Sequence, residues 1–335
     1  MNLKEKNRIC VAMSGGVDSS AAALILKKQG YDVLGLTMNL LGEELVDAKR
    51  VADKIGIEHH FIDFQKEFNN LVIDYFKKTY LSGATPSPCL MCNKYIKLGF
   101  LVEKAKELGA NGIVTGHYAK IKDGSLYVAD DLNKDQSYFL CLVKKENLEF
   151  LSLPLYGMTK DETRQLLKDE GIEIYNKPDS QDICFIKDGK YAELFGPQPE
   201  GNIVDVKGNI LGKHKGIINH TIGQRRGLGI GGFVNPLYVV KIDAEKNEVV
   251  LGEEECLKTL ELFVSDINLL ESVENIFECE VKLRSKQKNQ KAKVELLENN
   301  CAKIILQEPA YGVAKGQICC FYGENSIVLG GGIIS

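Results

Sequence analysis

The string RICVAMSGGVDSSAAALILKK, from Arg8 to Lys28, constrains the fold more than any other part of this 335-residue chain. Its first residues read as a buried strand, Ser14-Gly15-Gly16 as a tight turn, and the Ala- and Leu-rich remainder as a helix stopped at Gly30. The rhythm then repeats. YDVLGLTMNL and HHFIDF read as strands around the helix EELVDAKRVADKIG, and helices over about 65–80 and 93–108 precede the strand GIVTG. Strands alternating with helices in this way imply a parallel sheet covered on both faces, an α/β fold. A further helix, TKDETRQLLKDEG, carries Thr159 and Glu162 at capping-box spacing and Gly171 at its end.

The texture changes at Pro197, Pro199 and Gly201. Beyond them the chain is Gly-rich with short alternating segments. After about Leu260 the runs ECEVKLRS, KAKVELLE, CAKIILQE, QICCFYGE and SIVLGGGII come at the spacing of a small antiparallel barrel. The expected units are 1–197, 198–262 and 263–335. Net charge is −4, which excludes a uniformly basic coat but leaves room for basic patches. No apolar run is long enough to cross a bilayer, and MNLKEKNRICVAM lacks a signal peptide's apolar core, so a cytoplasmic protein with no membrane partner is expected. Most of the ten cysteines are then expected to be buried thiols, with a few available for chemistry.

Glycines beside a helix start let backbone approach a phosphate, and the first-turn N–H groups attract it. The loop has no Walker Lys and no G-x-G-x-x-G spacing, so neither of those readings applies. An isolated Gly-Gly-x-Asp could equally be a turn with Asp18 as N-cap. The whole string S-G-G-V-D-S-S resembles the loop of enzymes that adenylate an oxygen and release pyrophosphate from ATP.

Seven segments sharpen that likeness: AMSGGVDSS, CNKYIKLGF, TGHYAK, KDQSYFL, KPDSQDICFI, HTIGQRRGLGIGG and VLGGGI. Together, in this order, they resemble the tRNA-uridine 2-sulfurtransferases over nearly the whole chain. The resemblance implies a Rossmann-like adenylating (PP-loop) domain, a small central domain and a C-terminal β-barrel. It also implies 2-thiolation of the wobble uridine in a tRNA anticodon, with ATP and Mg2+. Rival readings are another synthetase with the same loop, of the amidotransferase type, and a tRNA-binding protein without catalysis.

Carried over by resemblance, the ATP site is Ala12, Met13, Ser14, Gly15, Gly16, Val17, Asp18 and Ser19, with Met38 and Gly116. The implied tRNA contacts are Ser87, Pro88, Cys89, His117, Lys134, Asp135, Gln136, Arg284, Ser285 and Gln317. Without the resemblance, Met38 reads as strand-end core, His117 as structural and DDLNKDQ as a polar loop. Two basic stretches point to RNA separately. Lys207, Lys213, Lys215, Arg225 and Arg226 lie in a run with no acidic residue, as do the cations of KLRSKQKNQKAK, Lys282 to Lys293. Such runs are also common as solvated faces.

Cys92 in CNKYIK corresponds to the family's nucleophile and Cys184 in DICFI to its persulfide carrier. Cys92 is expected near a helix N-terminus, where the thiolate is favoured. Cys89 departs from the best-described members, which carry an Asp there as proposed acid/base. That leaves C-x-x-C plus a third cysteine, and other tRNA thiolases hold a [4Fe–4S] cluster with such a set. Thiolates at this spacing suit iron–sulfur or zinc, although structural zinc wants four ligands and no second pair is present. Cys89, Cys92 and Cys184 are thus expected to converge, either as a persulfide site or as cluster ligands. The sulfur donor would be a cysteine desulfurase, a relay protein or free sulfide. Cys10, Cys141, Cys256, Cys279, Cys301, Cys319 and Cys320 read as buried small hydrophobes.

Overall fold

The computed structural model describes residues 8–42, 46–178, 183–186 and 189–335. The readings made above for Glu43, Glu44 and Leu45, for the 179–182 part of KPDSQDICFI and for the opening MNLKEK lie outside the described residues. Strands β1 (Arg8–Ala12), β2 (Asp32–Asn39), β3 (Glu58–Asp63) and β4 (Gly112–Val114) form where the apolar runs predicted them. Two further strands, β5 (Lys120–Lys122) and β6 (Ser125–Tyr127), make a hairpin, and β7 (Leu151–Ser152) completes the sheet, whose order is β3-β2-β1-β4-β7. All its pairings are parallel. The order reverses at β1, which places a crevice at the carboxyl ends of β1, β2 and β4, the usual ligand position in such sheets.

Helix α1 (Val17–Lys28) lies close on the sheet because Ala21, Ala22 and Ala23 are fully buried and small. Its N-cap is Gly16, so Asp18 stands inside the first turn and is not the cap. Helix α2 (Val46–Ile55) buries Ala48, Val51 and Ala52. The predicted 65–80 helix is α3 (Gln65–Phe68) and α4 (Asp74–Leu81), joined by a π-helical turn over Asn69–Ile73. The helix predicted from 93 instead starts earlier. Helix α5 (Pro88–Met91) opens it with proline in the first turn, followed by π-helical Cys92–Phe100 and α6 (Leu101–Glu107). Helix α7 (Lys145–Glu149) is short, and α8 (Lys160–Asp169) has the expected capping box of Thr159 and Glu162.

The central unit holds β8 (Gly201–Asp205), β9 (Ile210–His214), β10 (Tyr238–Asp243) and β11 (Glu248–Gly252), over a core of Ile203, Val239, Val249 and Leu251. The barrel is β12 (Lys258–Leu269), β13 (Ile276–Lys282), β14 (Gln290–Leu297), β15 (Cys301–Tyr311), β16 (Ile318–Tyr322) and β17 (Val328–Ile334), closed in the order β12-β15-β14-β13-β16-β17. The boundary expected at 262/263 cuts through β12, whose irregular burial carries no clean alternation to read. Ile318, Cys320, Tyr322 and Val328 of the barrel share one core with Leu90, Ile96, Tyr138 and Cys141. Barrel and parallel-sheet domain are therefore packed as one body along this seam. Cys10, Cys141, Cys319 and Cys320 are buried as expected, whereas Cys279 and Cys301 are partly exposed and Cys256, in a turn outside the core, is exposed. Among the described residues no helix is long and apolar enough to cross a membrane.

Candidate active site

The loop after β1 hands the chain to α1, whose first-turn N–H groups have no acceptors within the helix. Ser20 Oγ donates to Gly16 O at 2.8 Å and Ser14 N–H donates to Ser19 Oγ at 3.2 Å, which ties the loop to the helix start. Ala12 ends β1 and Met13 follows it, Met38 lies near the end of β2, and Gly116 follows β4, so the structure brings all the expected ATP residues to one sheet edge. Gly116 has no room for a side chain. A Cβ there would lie 2.7 Å from the backbone of Asp18 and Ser19.

Two lysines missed in the sequence complete this edge. Lys160, at the start of α8, sets its ammonium 2.6 Å from Asp18 Oδ1, and the buried Tyr118 donates its hydroxyl to the same oxygen at 3.0 Å. Lys177 donates to Gly15 O at 3.1 Å and to Asp47 Oδ2 at 2.7 Å, and that bond holds the Asp47 carboxyl below its usual range. Neither lysine lies in the loop motif, so local spacing gave no signal for them.

Cys92 caps the short α5 and enters the π-helical segment, and it is buried. The expected low thiol pKa is therefore corrected: desolvation pushes Cys92 up to about 12, and Cys92 stands at the C-cap of α5, where no helix N-terminus favours the thiolate. Cys89 and Cys184 are exposed, yet the surrounding protein raises both thiols as well. The Lys97 ammonium opposes the rise at all three sulfurs. The Cys184 and Cys89 thiols add a smaller upward push on Cys92. An α-helical register would turn Lys97 about 140° from Cys92. The π-helical register, closed by i→i+5 hydrogen bonds, instead sets it one turn above. Phe185, next to Cys184, packs edge-on against Phe68 and Phe76 at centroid distances of 5.8 and 5.2 Å, which anchors the Cys184 turn.

His117 stands beside the ATP edge. It follows Gly116, its Nδ1 lies 2.8 Å from Thr115 Oγ1, and desolvation with a smaller push from Lys97 takes its pKa down to about 3. It is neutral at physiological pH. Among the described residues no group of three or more His, Cys, Asp or Glu side chains is arranged to hold a metal ion. Cys89, Cys92 and Cys184 as placed are thus not a ready ligand set for a cluster.

Family models described as tRNA methyl transferase HUP domain, tRNA methyl transferase PRC-barrel domain and aminomethyltransferase beta-barrel domain match residues 7–188, 190–253 and 259–334. The tRNA-specific 2-thiouridylase MnmA of Rickettsia felis is 45% identical, over 100% of this chain and 99% of its own. The chain belongs to the tRNA-specific 2-thiouridylase family. Its relatives include the Paracoccus denitrificans enzyme, 43% identical over 98% of this chain and 92% of that one. A Clostridium botulinum member, MnmA 2, is 44% identical over 98% of each. A 4-thiouridine synthetase–RNA complex with bound ATP overlaps 53% of this chain and 45% of its own at 19% identity and a TM-score of 0.39.

The positions that the family resemblance assigns to RNA are not alike. Asp135 Oδ1 accepts from Ala129 and Ser137 N–H, and Gln136 Oε1 accepts from Tyr118 N–H at 3.0 Å, so both side chains brace their own loop. Lys134 is exposed. Arg284 Nη2 donates to Ile222 O and Gly312 O, at 3.2 and 2.7 Å, bridging the central unit and the barrel. Ser285 is partly exposed beside it. Ser87 and Pro88 are buried, and Gln317 donates to Thr85 O and Pro86 O. Lys207, Lys213, Lys215, Arg225, Arg226, Lys286 and Lys288 all reach solvent.

Proposed function

We propose that this protein, a tRNA sulfurtransferase by family, replaces the C2 oxygen of the wobble uridine in tRNA with sulfur at the expense of ATP. One observation carries the reading. The Ser14–Ser19 loop, Met38 and Gly116 meet at the carboxyl edge of the parallel sheet, with the Lys160 ammonium 2.6 Å from Asp18 Oδ1, which supports activation of an oxygen by ATP there. The identity to named 2-thiouridylases over the whole chain supports the substrate class.

In the proposed sequence the uridine O2 attacks the α-phosphorus of ATP, the bond to pyrophosphate breaks, and N3 loses its proton. Asp18 would hold Mg2+ together with phosphate oxygens, a fit for an ion that takes one carboxylate and its substrate's phosphates. Mg2+ would neutralise charge on the leaving pyrophosphate. Lys160 and Lys177 are placed to pair with phosphate oxygens. Extrusion of the base from its stack is required for reach.

The terminal sulfur of a Cys184 persulfide, loaded by a persulfide donor, then attacks C2, and AMP departs with O2. The Cys92 sulfur, giving up its thiol proton toward the N3 that needs one, attacks Cys184 Sγ and breaks the S–S bond. The electron pair stays on the sulfur at C2, N3 regains a proton, and a Cys92–Cys184 disulfide remains for a thiol reductant to reopen. This reaction sequence routes no step through a cluster. Incubating the protein with tRNA, ATP and a persulfide source, then analysing nucleosides by mass spectrometry, tests the reading. 2-Thiouridine is expected, and its absence with both persulfide and sulfide would overturn it.

A further inference from the structure

We propose that the C-terminal barrel holds the Cys89–Cys92 segment in place through Gln317, a positioning residue for sulfur transfer. The proposal deepens the thiolation reading and takes its sulfur-transfer step from it.

The chain reaches α5 through Thr85-Pro86-Ser87, a strap between α4 and α5 with no strand or helix of its own. Pro86 and Pro88 have no N–H, so little in the strap can hold itself, while Pro86, Ser87 and Pro88 are buried and must be satisfied from outside. The barrel does this. Thr85 N–H donates to Lys315 O at 2.7 Å. The Gln317 amide nitrogen donates to Thr85 O and to Pro86 O, each at 3.1 Å. Tyr75 OH accepts from Ser87 N–H at 3.3 Å and donates to Gly316 O at 3.4 Å, joining helix, strap and barrel turn.

Gln317 is itself rigidly placed. Its backbone N–H donates to Ala314 O, and its carbonyl accepts from Ile334 N–H at 2.8 Å. The neighbouring Gly316 adopts φ +84°, and a Cβ there would lie 2.8 Å from Thr85 O, so barrel and strap meet backbone to backbone. An amide nitrogen has two hydrogens, and both are committed to the strap. Only Oε1 of Gln317 is left to face an RNA. A barrel displaced by RNA docking would carry the strap, and with it Cys89 and Cys92.

Hydrogen exchange of the full-length protein without RNA tests the clamp, in wild type, Gln317→Ala and Gln317→Glu. Exchange at the Thr85 and Ser87 amides should quicken about tenfold in Gln317→Glu, where a carboxylate faces two carbonyls, and less in Gln317→Ala. Peptides from β16 and β17 should not change, which separates a lost clamp from an unfolded barrel. If Gln317→Glu unfolds the barrel, Gln317→Ala decides alone. At saturating tRNA, kcat for thiolation should fall further than the rate of pyrophosphate release. Unchanged exchange at Thr85 and Ser87 would overturn the clamp, and so would a defect confined to KM for tRNA. If wild type makes no thiouridine, the functional reading fails, and the exchange data still decide the clamp.

Discussion

Lys160 and Asp18 are 142 residues apart in the chain and 2.6 Å apart in space. Tyr118, 100 residues from Asp18, donates to the same carboxylate oxygen. The loop aspartate is thus aimed by a cation and a phenol that local sequence does not place beside it. This makes Lys160 the first residue to test in the adenylation half-reaction.

Asp18→Ala and Lys160→Met are each expected to cut tRNA-dependent pyrophosphate release by about two orders of magnitude or more, the scale for removing one preorganised electrostatic group. Tyr118→Phe, which loosens the carboxylate and removes the hydroxyl contact with Thr163, should cost several-fold. Binding of tRNA, measured by filter retention, should change little in all three. A Lys160→Met enzyme that still releases pyrophosphate at the wild-type rate would remove Lys160 from the site.

The thiols give a pH prediction. Burial raises Cys92 to about 12, so near neutrality it is protonated, and its thiolate fraction grows about tenfold per pH unit. Alkylation of Cys92 in the free protein, followed by peptide mass spectrometry, should be slow at pH 7 and climb steeply toward pH 10. Lys97 pulls the thiol down, so Lys97→Met should move the curve to higher pH and Lys97→Arg should restore it. The same shift sets the sign for stability. The folded protein keeps a proton that the unfolded chain releases near 9.0, so this contribution is present below that pH and is lost as pH rises toward about 12. A curve that stays in place in Lys97→Met would contradict the assignment.

The basic run of the barrel divides into two halves. Lys291 and Lys293 sit directly opposite Glu280 and Glu278 across β13 and β14, whereas Lys286 and Lys288 lie in the connection between the strands. Changing Lys286 and Lys288 to Gln should weaken tRNA binding and lower the salt slope by roughly one to two. The pair Lys291→Gln and Lys293→Gln should do much less. Equal slopes for the two double variants would return the whole run to a solvated face.

Cys89→Ala should keep most of the thiolation, while Cys92→Ala and Cys184→Ala should abolish it without loss of pyrophosphate release. Anaerobic reconstitution with iron and sulfide should leave no stoichiometric iron on the purified protein. Iron retention that depends on Cys89, together with inactive Cys89→Ala, would instead restore the cluster reading.

The order of strands and helices in the first half was legible because buried strands and amphipathic helices repeat at local periods of about 2 and 3.6 residues. The glycine loop was legible for the same reason, since a strand, a turn and a helix start all lie within twelve residues of Arg8 to Ser19. The capping box of Thr159 and Glu162 needed only four residues to read. The π-helical register at Cys92 and the bulged β12 were not legible, because packing against neighbours sets them.

The sequence by itself determined the alternating α/β domain, the phosphate loop, the cysteines available for sulfur chemistry and the family resemblance. Only the tertiary structure decided which groups act on those cysteines and that loop. Burial set the Cys92 thiol above its ordinary range, against the helix-start expectation, because the sulfur is desolvated and lies at the C-cap of α5. Folding brought Lys160 to Asp18, Lys177 to Gly15 and Asp47, and Gln317 to the strap ahead of Cys89. Charge and hydrogen bonding act over a few ångströms of space, and no spacing along the chain encodes those distances.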